Sequence, residues 1–354
     1  MSCDINHEQA IVAGALRGDL DRDALAVYDA IDAIEEAGRG LVQDPVMPGI
    51  LDLFEDKAPW LAARGRLITS SRGPSIVGVG YGSAFRLNLE LRGRAEPLRL
   101  EGDGLELGHE IEPALLNMLE RRIPGLRVWK PAPYMLVRSA EFPWLAASPD
   151  AFAEHPDWPG LGVVELKTTA AVRKGDWLED DDTVTVPPYP RVQLNHHALT
   201  AGLSWGVVAC AIGLGIQARF VYRVMKHDAA WTRGYLTRLA AFWDAVEADE
   251  EWPADAHVET GRTLRALYPK ESTGKVIALP PEAMALCDEY EDAGRQVGEW
   301  KAAKDEAKAR LQALMGDAGT GLVDSERYVT WLESPRRGYV VSPSKARVLR
   351  VRHR

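Results

Sequence analysis

The spacing of apolar and polar residues divides the chain into three regions. Over residues 1 to about 55, "EQAIVAGAL" and "RDALAVYDAIDAIEEAG" place apolar residues at helical intervals, and Gly38 and the segment around Pro45 and Pro48 close them. From about 56 to 255 the helical and the strand periods mix. "LGHEIEPALLNMLERRIPG" predicts a helix with Leu115, Leu119 and Ile123 on one face and Pro124–Gly125 as its stop. "APYMLVRSA", "PWLAASPDAFAE" and "LGVVELKTT" predict successive short strands with turn residues between them. "RVQLNHHALTAG" predicts a helix ending at Gly202, and "WGVVACAIG" with "QARFVYRVM" predicts a hairpin around Gly213 and Gly215. "AAWTRGYLTRLAAFWDAVEA" predicts a long closing helix. This order of elements is that of an α/β sheet packed by helices.

After Trp252–Pro253 a third pattern begins. Leu286, Tyr290, Ala293, Val297, Trp300, Ala307, Leu311 and Leu314 follow alternating four- and three-residue steps, with Lys304 filling one position of the seam. The pattern predicts a long helix packed on a partner helix, weakened at Gly294 and Gly298. "RYVTWLES" and "GYVV" then read as strands. The organisation expected is an N-terminal helical extension (1–55), a core (56–255), and a C-terminal long helix or helical hairpin with short strands and a basic tail (256–354).

Composition narrows the function classes. With 46% hydrophobic and 27% charged residues over 354 positions, the chain has the make-up of an ordinary globular protein able to bury a sizeable core. No run is long enough for a membrane span, and "MSCDINHEQA" lacks a basic-then-apolar signal pattern, so a cytoplasmic location is expected. Cys3, Cys210 and Cys287 are too few and too far apart for a disulfide framework, a zinc site or an iron–sulfur cluster. A net charge of −10 argues against broad coating by nucleic acid but leaves room for a local basic groove. Between Arg336 and Arg354 there are seven Lys or Arg and no acid, which is either a solvated tail or a phosphate-contacting arm.

The chemistry centres on "GVVELKTT". Glu165 and Lys167 stand two residues apart, so a strand points both to one face. Asp150 lies at the end of the preceding strand, and the turn-rich "AEHPDWPG" lets the two strands pair and bring it beside Glu165. Two converging carboxylates offer hard oxygen ligands to Mg²⁺ or Mn²⁺, and an adjacent ammonium can offset charge on a phosphate. A Glu-x-Lys run alone is more often a structural ion pair; the upstream Pro-Asp adds the second carboxylate. His196 and His197 are adjacent, so they diverge on a helix and do not form a zinc pair; they read as packing residues in preference to DNA-facing ones. Ser71 also suits a helix N-cap for the segment beginning near Arg72. "GVGYGSAF" lacks the strand and helix flanks of a nucleotide-binding loop.

Ser-Pro-Asp followed by Glu-x-Lys resembles the signature of the PD-(D/E)XK nuclease superfamily, and three further segments resemble its lambda-exonuclease-like, YqaJ-type viral recombinase branch. "LGHEIEP" is similar to a Gly-x-x-x-Glu-Pro helix whose glutamate supplements the metal site, here Glu112 in preference to Glu110. "VQLNHHALTAG" is similar to a helix whose first glutamine lies near the catalytic lysine, here Gln193, although Asn195 and Ala201 depart from the pattern. "WLAARGRLITSS" is similar to a segment whose arginine and serine bind a DNA 5′-phosphate, here Arg64 and Ser71. The resemblance spans roughly residues 60 to 250 in the family's order.

The resemblance implies a restriction-endonuclease-like core, a central mixed β-sheet flanked by helices. It implies a Mg²⁺-dependent exonuclease of a phage or prophage recombination system, acting in bacterial or phage-infected cytoplasm 5′-to-3′ on double-stranded DNA ends. Asp150, Glu165, Glu112 and the Leu166 carbonyl would hold the metal, Lys167 would position the attacking water, and Gln193 would lie beside it. A homo-oligomeric ring and a single-strand annealing partner are also implied. The alternatives are a structure- or sequence-specific endonuclease on the same core, and a non-catalytic DNA-binding or assembly protein with a decayed site.

Overall fold

The computed structural model describes residues 49–97, 102–213, 215–272, 274–324, 327–333 and 349–352. The helices expected before residue 49, most of the basic tail and the "GYVV" strand lie outside the described residues. The chain divides into two units, Met1–Thr263 and Leu264–Arg354.

The first unit contains two sheets. One has the order β1-β4-β5-β2, formed by Gly49–Leu53, Met135–Ser139, Leu145–Ala147 and Ile68–Thr69. Thus residues 49–53, grouped by sequence with the N-terminal extension, pair antiparallel with β4, Gly49 opposite Ser139. The second sheet has the order β3-β6-β7-β8-β9: Arg127–Trp129, Ala151–His155, Trp158–Thr169, Trp205–Ile212 and Arg219–Lys226. It is mixed, because β7 and β8 run parallel while β3/β6, β6/β7 and β8/β9 are antiparallel. The expected β8–β9 hairpin is present, with Gly213 and Gly215 at positive φ in its turn. "PWLAASPDAFAE" does not form one strand. Pro149, which has no N–H for a ladder, falls where the chain leaves β5 in one sheet and enters β6 in the other.

Helices cover the mixed sheet on both faces, as the α/β expectation requires. Helix α1 (Lys57–Arg64), the short α2 (Gly73–Ile76) and α3 (Ala84–Leu91) precede α4 (Asp103–Arg122). Leu115, Leu119 and Ile123 do share a buried face, and it packs on Ala151, Val164, Leu166 and Val207 of the sheet. On the opposite face lies α5 (Pro188–Ala201), the crossover between β7 and β8. Leu194 and Ala198 pack on Val163, Val208 and Cys210. Val192 and Leu199 pack the other way, on Ile68, Leu145 and the closing helix α6 (Ala229–Glu247) through Trp231, Tyr235 and Leu239. Buried all round, α5 shows no apolar stripe. It starts on Pro188, whose missing N–H would have no helical partner, and stops at Gly202 with φ 69°.

A helix α7 (Val258–Leu267) crosses the division between the units. The second unit contains α8 (Ala283–Met315) and the antiparallel pair β10 (Thr320–Leu322) and β11 (Tyr328–Thr330). The long C-terminal helix is therefore present, and none of its residues is buried.

The β7–β8 contact depends on a side chain being absent at Gly162, where an added Cβ would stand 2.5 Å from the Trp205 ring. Gly162→Ala should therefore destabilise the first unit by about 1–3 kcal/mol, read as a lowered denaturant midpoint.

Candidate active site

β7 presents its residues alternately to the two helical layers. Val164 and Leu166 face α4, and Val163, Glu165 and Lys167 face α5. Glu165 is only 2% exposed. An ionised carboxylate at such a place costs several kcal/mol unless donors surround it, and here two do. The Lys167 ammonium bonds Oε1, and the His197 Nε2–H donates to Oε2 at 2.9 Å. Burial works against the charge of Glu165, but Lys167 and then His197 overcome it and hold the carboxyl below its usual range. Lys167 experiences the converse: burial works against it, and Glu165 and Asp150 outweigh that and keep it an ammonium.

Asp150 stands beside this pair. It precedes β6, one position beyond the Ala151–Val164 register, and therefore lies opposite Glu165. It sits at the start of its strand, because the chain only enters the sheet at Ala151. Its Oδ2 accepts the Leu166 backbone N–H at 2.8 Å. Burial first, and the Glu165 charge second, raise its proton affinity well above that of an ordinary aspartate, with Glu112 adding in the same direction. Glu112 of α4 is thus within electrostatic reach, while its carboxylate accepts from Lys130 Nζ at 2.7 Å and meets His109 Nδ1 at 2.8 Å. Glu110 is exposed.

The α5 side of the site is richer than the sequence reading foresaw. Tyr189, Gln193 and His197 recur every four residues, so one stripe of the helix faces the strand. Tyr189 lies under Lys167, with Nζ 5.5 Å from its ring centroid, and packs on Tyr81 at 4.6 Å. Gln193 is buried, and its Oε1 has no partner among the described residues. His196 and His197 do diverge, but only His196 is purely a packing residue. His197 belongs to the site, and its four-residue spacing from Gln193 was the available signal.

Arg64 and Ser71 meet at the end of α1. Arg64 Nη2 donates to Ser71 Oγ at 3.4 Å, and its guanidinium lies 4.3 Å from the Trp60 ring centroid. Burial and the neighbouring Arg72 bring its pKa down to about 10, while Asp150 and Tyr189 pull the other way, so Arg64 shares the field of the acidic site. Arg72 donates to the carbonyls of Arg64, Gly65 and Leu67 at 3.3, 2.9 and 3.4 Å and fixes the chain that carries Arg64. Ser71 does not cap a helix. α2 begins at Gly73 after Arg72, and the Ser71 hydroxyl bonds Thr69 Oγ1 at 3.2 Å instead. Ser71, Arg72, Arg86 and Tyr189 border a cavity of about 160 Å³.

The donor types suit a hard divalent ion: two facing carboxylates, a third nearby, and the backbone of Leu166 between them. Among the described residues no three His, Cys, Asp or Glu side chains close around one point. Each carboxylate is turned to protein donors, Asp150 to Leu166, Glu165 to Lys167 and His197, Glu112 to Lys130.

His196 provides a titration test of the packing behind the site. Its Nε2–H donates to the Ala146 carbonyl at 2.9 Å, and its Nδ1 accepts from the Tyr235 hydroxyl at 2.8 Å. Burial, then His197, pushes its pKa down to about 3. The unfolded chain takes up this proton below about pH 6.5 and the folded chain refuses it. Stability should therefore fall as pH drops through that range, by up to about 1.4 kcal/mol per pH unit. In denaturation series, His196→Gln should be less stable near neutrality but lose this part of the slope. A difference between the two proteins that is constant with pH would contradict it.

No curated protein matches the chain. Among solved structures, the alkaline exonuclease LHK-Exo from Laribacter hongkongensis aligns with 59% of this chain and 99% of its own, at 17% identity and a TM-score of 0.40. The same enzyme in complex with dAMP aligns over the same shares at 17% identity and a TM-score of 0.41. The family comparison is the informative one: residues 59–204, the stretch that contains Arg64, Ser71, Glu112, Asp150, Glu165, Lys167 and Gln193, match the YqaJ-like viral recombinase domain, which is the family the motifs indicated.

Proposed function

We propose that the protein is a divalent-metal-dependent DNA exonuclease of a phage-type recombination system, acting 5′-to-3′ from double-stranded ends. The observation that carries this reading is the convergence of Asp150, Glu165 and Lys167 at one end of the β6–β7 pair, inside the stretch that matches the recombinase domain.

Asp150 and Glu165, with Glu112 and the Leu166 carbonyl, would hold Mg²⁺ or Mn²⁺. The bound cation would supply Lewis acidity and positive charge at the scissile phosphate. Lys167 would orient the attacking water and offset phosphate charge. His197 holds Glu165 from behind, and Tyr189 holds the Lys167 ammonium over its ring. Arg64 and Ser71 would take the 5′-phosphate, for which a planar guanidinium and a hydroxyl are suited. The resemblance further supports a homo-oligomeric ring and a single-strand annealing partner. No helix among the described residues is long and apolar enough to cross a membrane.

The test is digestion of end-labelled linear duplex in Mg²⁺, with and without a 5′-phosphate. Nucleotides should be released from the 5′ end, and chelation should stop the release. Asp150→Asn and Lys167→Ala should each lower the rate by about 10²–10³-fold. Arg64→Ala should remove the preference for a 5′-phosphorylated end. Cleavage of a covalently closed circle as fast as the linear duplex would overturn end-dependent action.

A further inference from the structure

Between α2 and α3 the segment "GVGYGSAF" forms a short loop that presents one aromatic ring, Tyr81. The chain is pinned on both sides of that ring. The Val79 N–H donates to the Pro74 carbonyl at 2.9 Å, and the Val79 side chain packs against the core that holds Trp231 and Leu239. Gly80 approaches Ser75 so closely that an added Cβ would stand 2.2 Å from its hydroxyl and 2.6 Å from its backbone nitrogen. After the ring, Ser83 Oγ accepts the Arg86 backbone N–H at 3.0 Å and caps α3. Tyr81 is therefore held in place, yet it is 64% exposed. The outward face of the ring adds nothing to the core.

Its surroundings have the chemistry of a nucleotide site. Tyr81 packs on Tyr189 with 4.6 Å between ring centroids and a tilt of 53°. Tyr189 in turn lies under the Lys167 ammonium, so one ring separates Tyr81 from the acidic site. Both tyrosines border the cavity that Ser71, Arg72 and Arg86 also line. Its one acidic lining residue, Glu90, stands 2.8 Å from Arg86 and 3.8 Å from Arg72, so two guanidiniums face a single carboxylate and the wall keeps positive charge. Hydroxyls and guanidiniums suit a phosphate, and a fixed, exposed aromatic ring suits a base.

We infer that Tyr81 is the stacking platform for the base of the 5′-terminal nucleotide once that base is unpaired. The inference rests on the exonuclease reading for the path of the strand. Arg64 and Ser71 take the terminal phosphate, the acidic pair takes the next one, and the nucleotide between them passes the two tyrosines. Stacking accepts every base, because each has a π face, and differences in stacking strength give only a modest preference among them. Tyr81 is in this way a specificity residue: it requires that the end carry a base, and it touches the substrate without touching the bond that is cut.

The test is equilibrium binding, with Ca²⁺ in place of Mg²⁺, of a 5′-phosphorylated duplex whose two 5′-terminal residues are unpaired. The first residue is either 2-aminopurine or an abasic tetrahydrofuran. The wild type should bind the base-bearing end about tenfold more tightly, and the 2-aminopurine emission should be quenched on binding. Tyr81→Ala should lose both the preference and the quenching with its circular dichroism unchanged, and Tyr81→Trp should keep both. Equal binding of the two ends by the wild type, binding of neither, or a preference that survives Tyr81→Ala would overturn the inference. Digestion in Mg²⁺ separates its failure from that of the exonuclease reading. A base preference in a protein that releases no nucleotide supports the platform and removes the exonuclease. Release that Asp150→Asn suppresses, without a base preference, supports the exonuclease and removes the platform.

Discussion

A carboxylate that must remain charged inside a sheet-and-helix sandwich organises this fold. Glu165 lies in the middle of the longest strand, with apolar packing before and after it, and only strong donors can keep it ionised there. Lys167 comes from the same strand, so its reach is fixed by the pleat. His197 comes from α5, and its approach requires that helix to lie against the strand in one rotation. The packing of α5 and the geometry of the acidic site are therefore a single constraint. This is why a helix buried on every side still carries Tyr189, Gln193 and His197 along one stripe while Val192 and Leu199 bind it to the layer behind.

Asp150 contributes in a different way. Its carboxylate accepts a backbone N–H from the strand that holds Glu165, which locks the register of β6 on β7 at the place where two negative groups face each other. Burial first, and the charge of Glu165 second, raise the proton affinity of Asp150 there. The fold supplies the rigidity that repulsion would otherwise defeat, through the packing of Ala151, Val164 and Leu166 on α4.

Much of this was legible in the sequence because it rests on local periodicity. The two-residue spacing of Glu165 and Lys167 set their common face, and the spacing of Leu115, Leu119 and Ile123 set the face of α4. The features that escaped depend on distant partners. β1 is five residues whose strand character comes from pairing with β4, between Gly49–Ser139 and Leu53–Met135. The helix after Ser71 begins one residue late, at Gly73, and the Arg72 guanidinium reaches back to three carbonyls, a contact that no local pattern announces. His197 was hidden by its neighbour: side by side, two histidines look like one feature, but a helix sends them to opposite layers. The heptad spacing of α8 was plain, and the helix is present, yet none of its residues is buried.

The passage of the chain from one sheet to the other takes only three residues, Ser148, Pro149 and Asp150. Asp150 is thus the joint between two mechanical parts. One part includes β5 and β2, from which the chain runs directly into Ser71; the other holds Glu165 and Lys167. The segment that carries Arg64 and Ser71 and the acidic pair are thus joined through the first sheet by a linker stiffened by Pro149, so the placement of one relative to the other is set by three backbone residues.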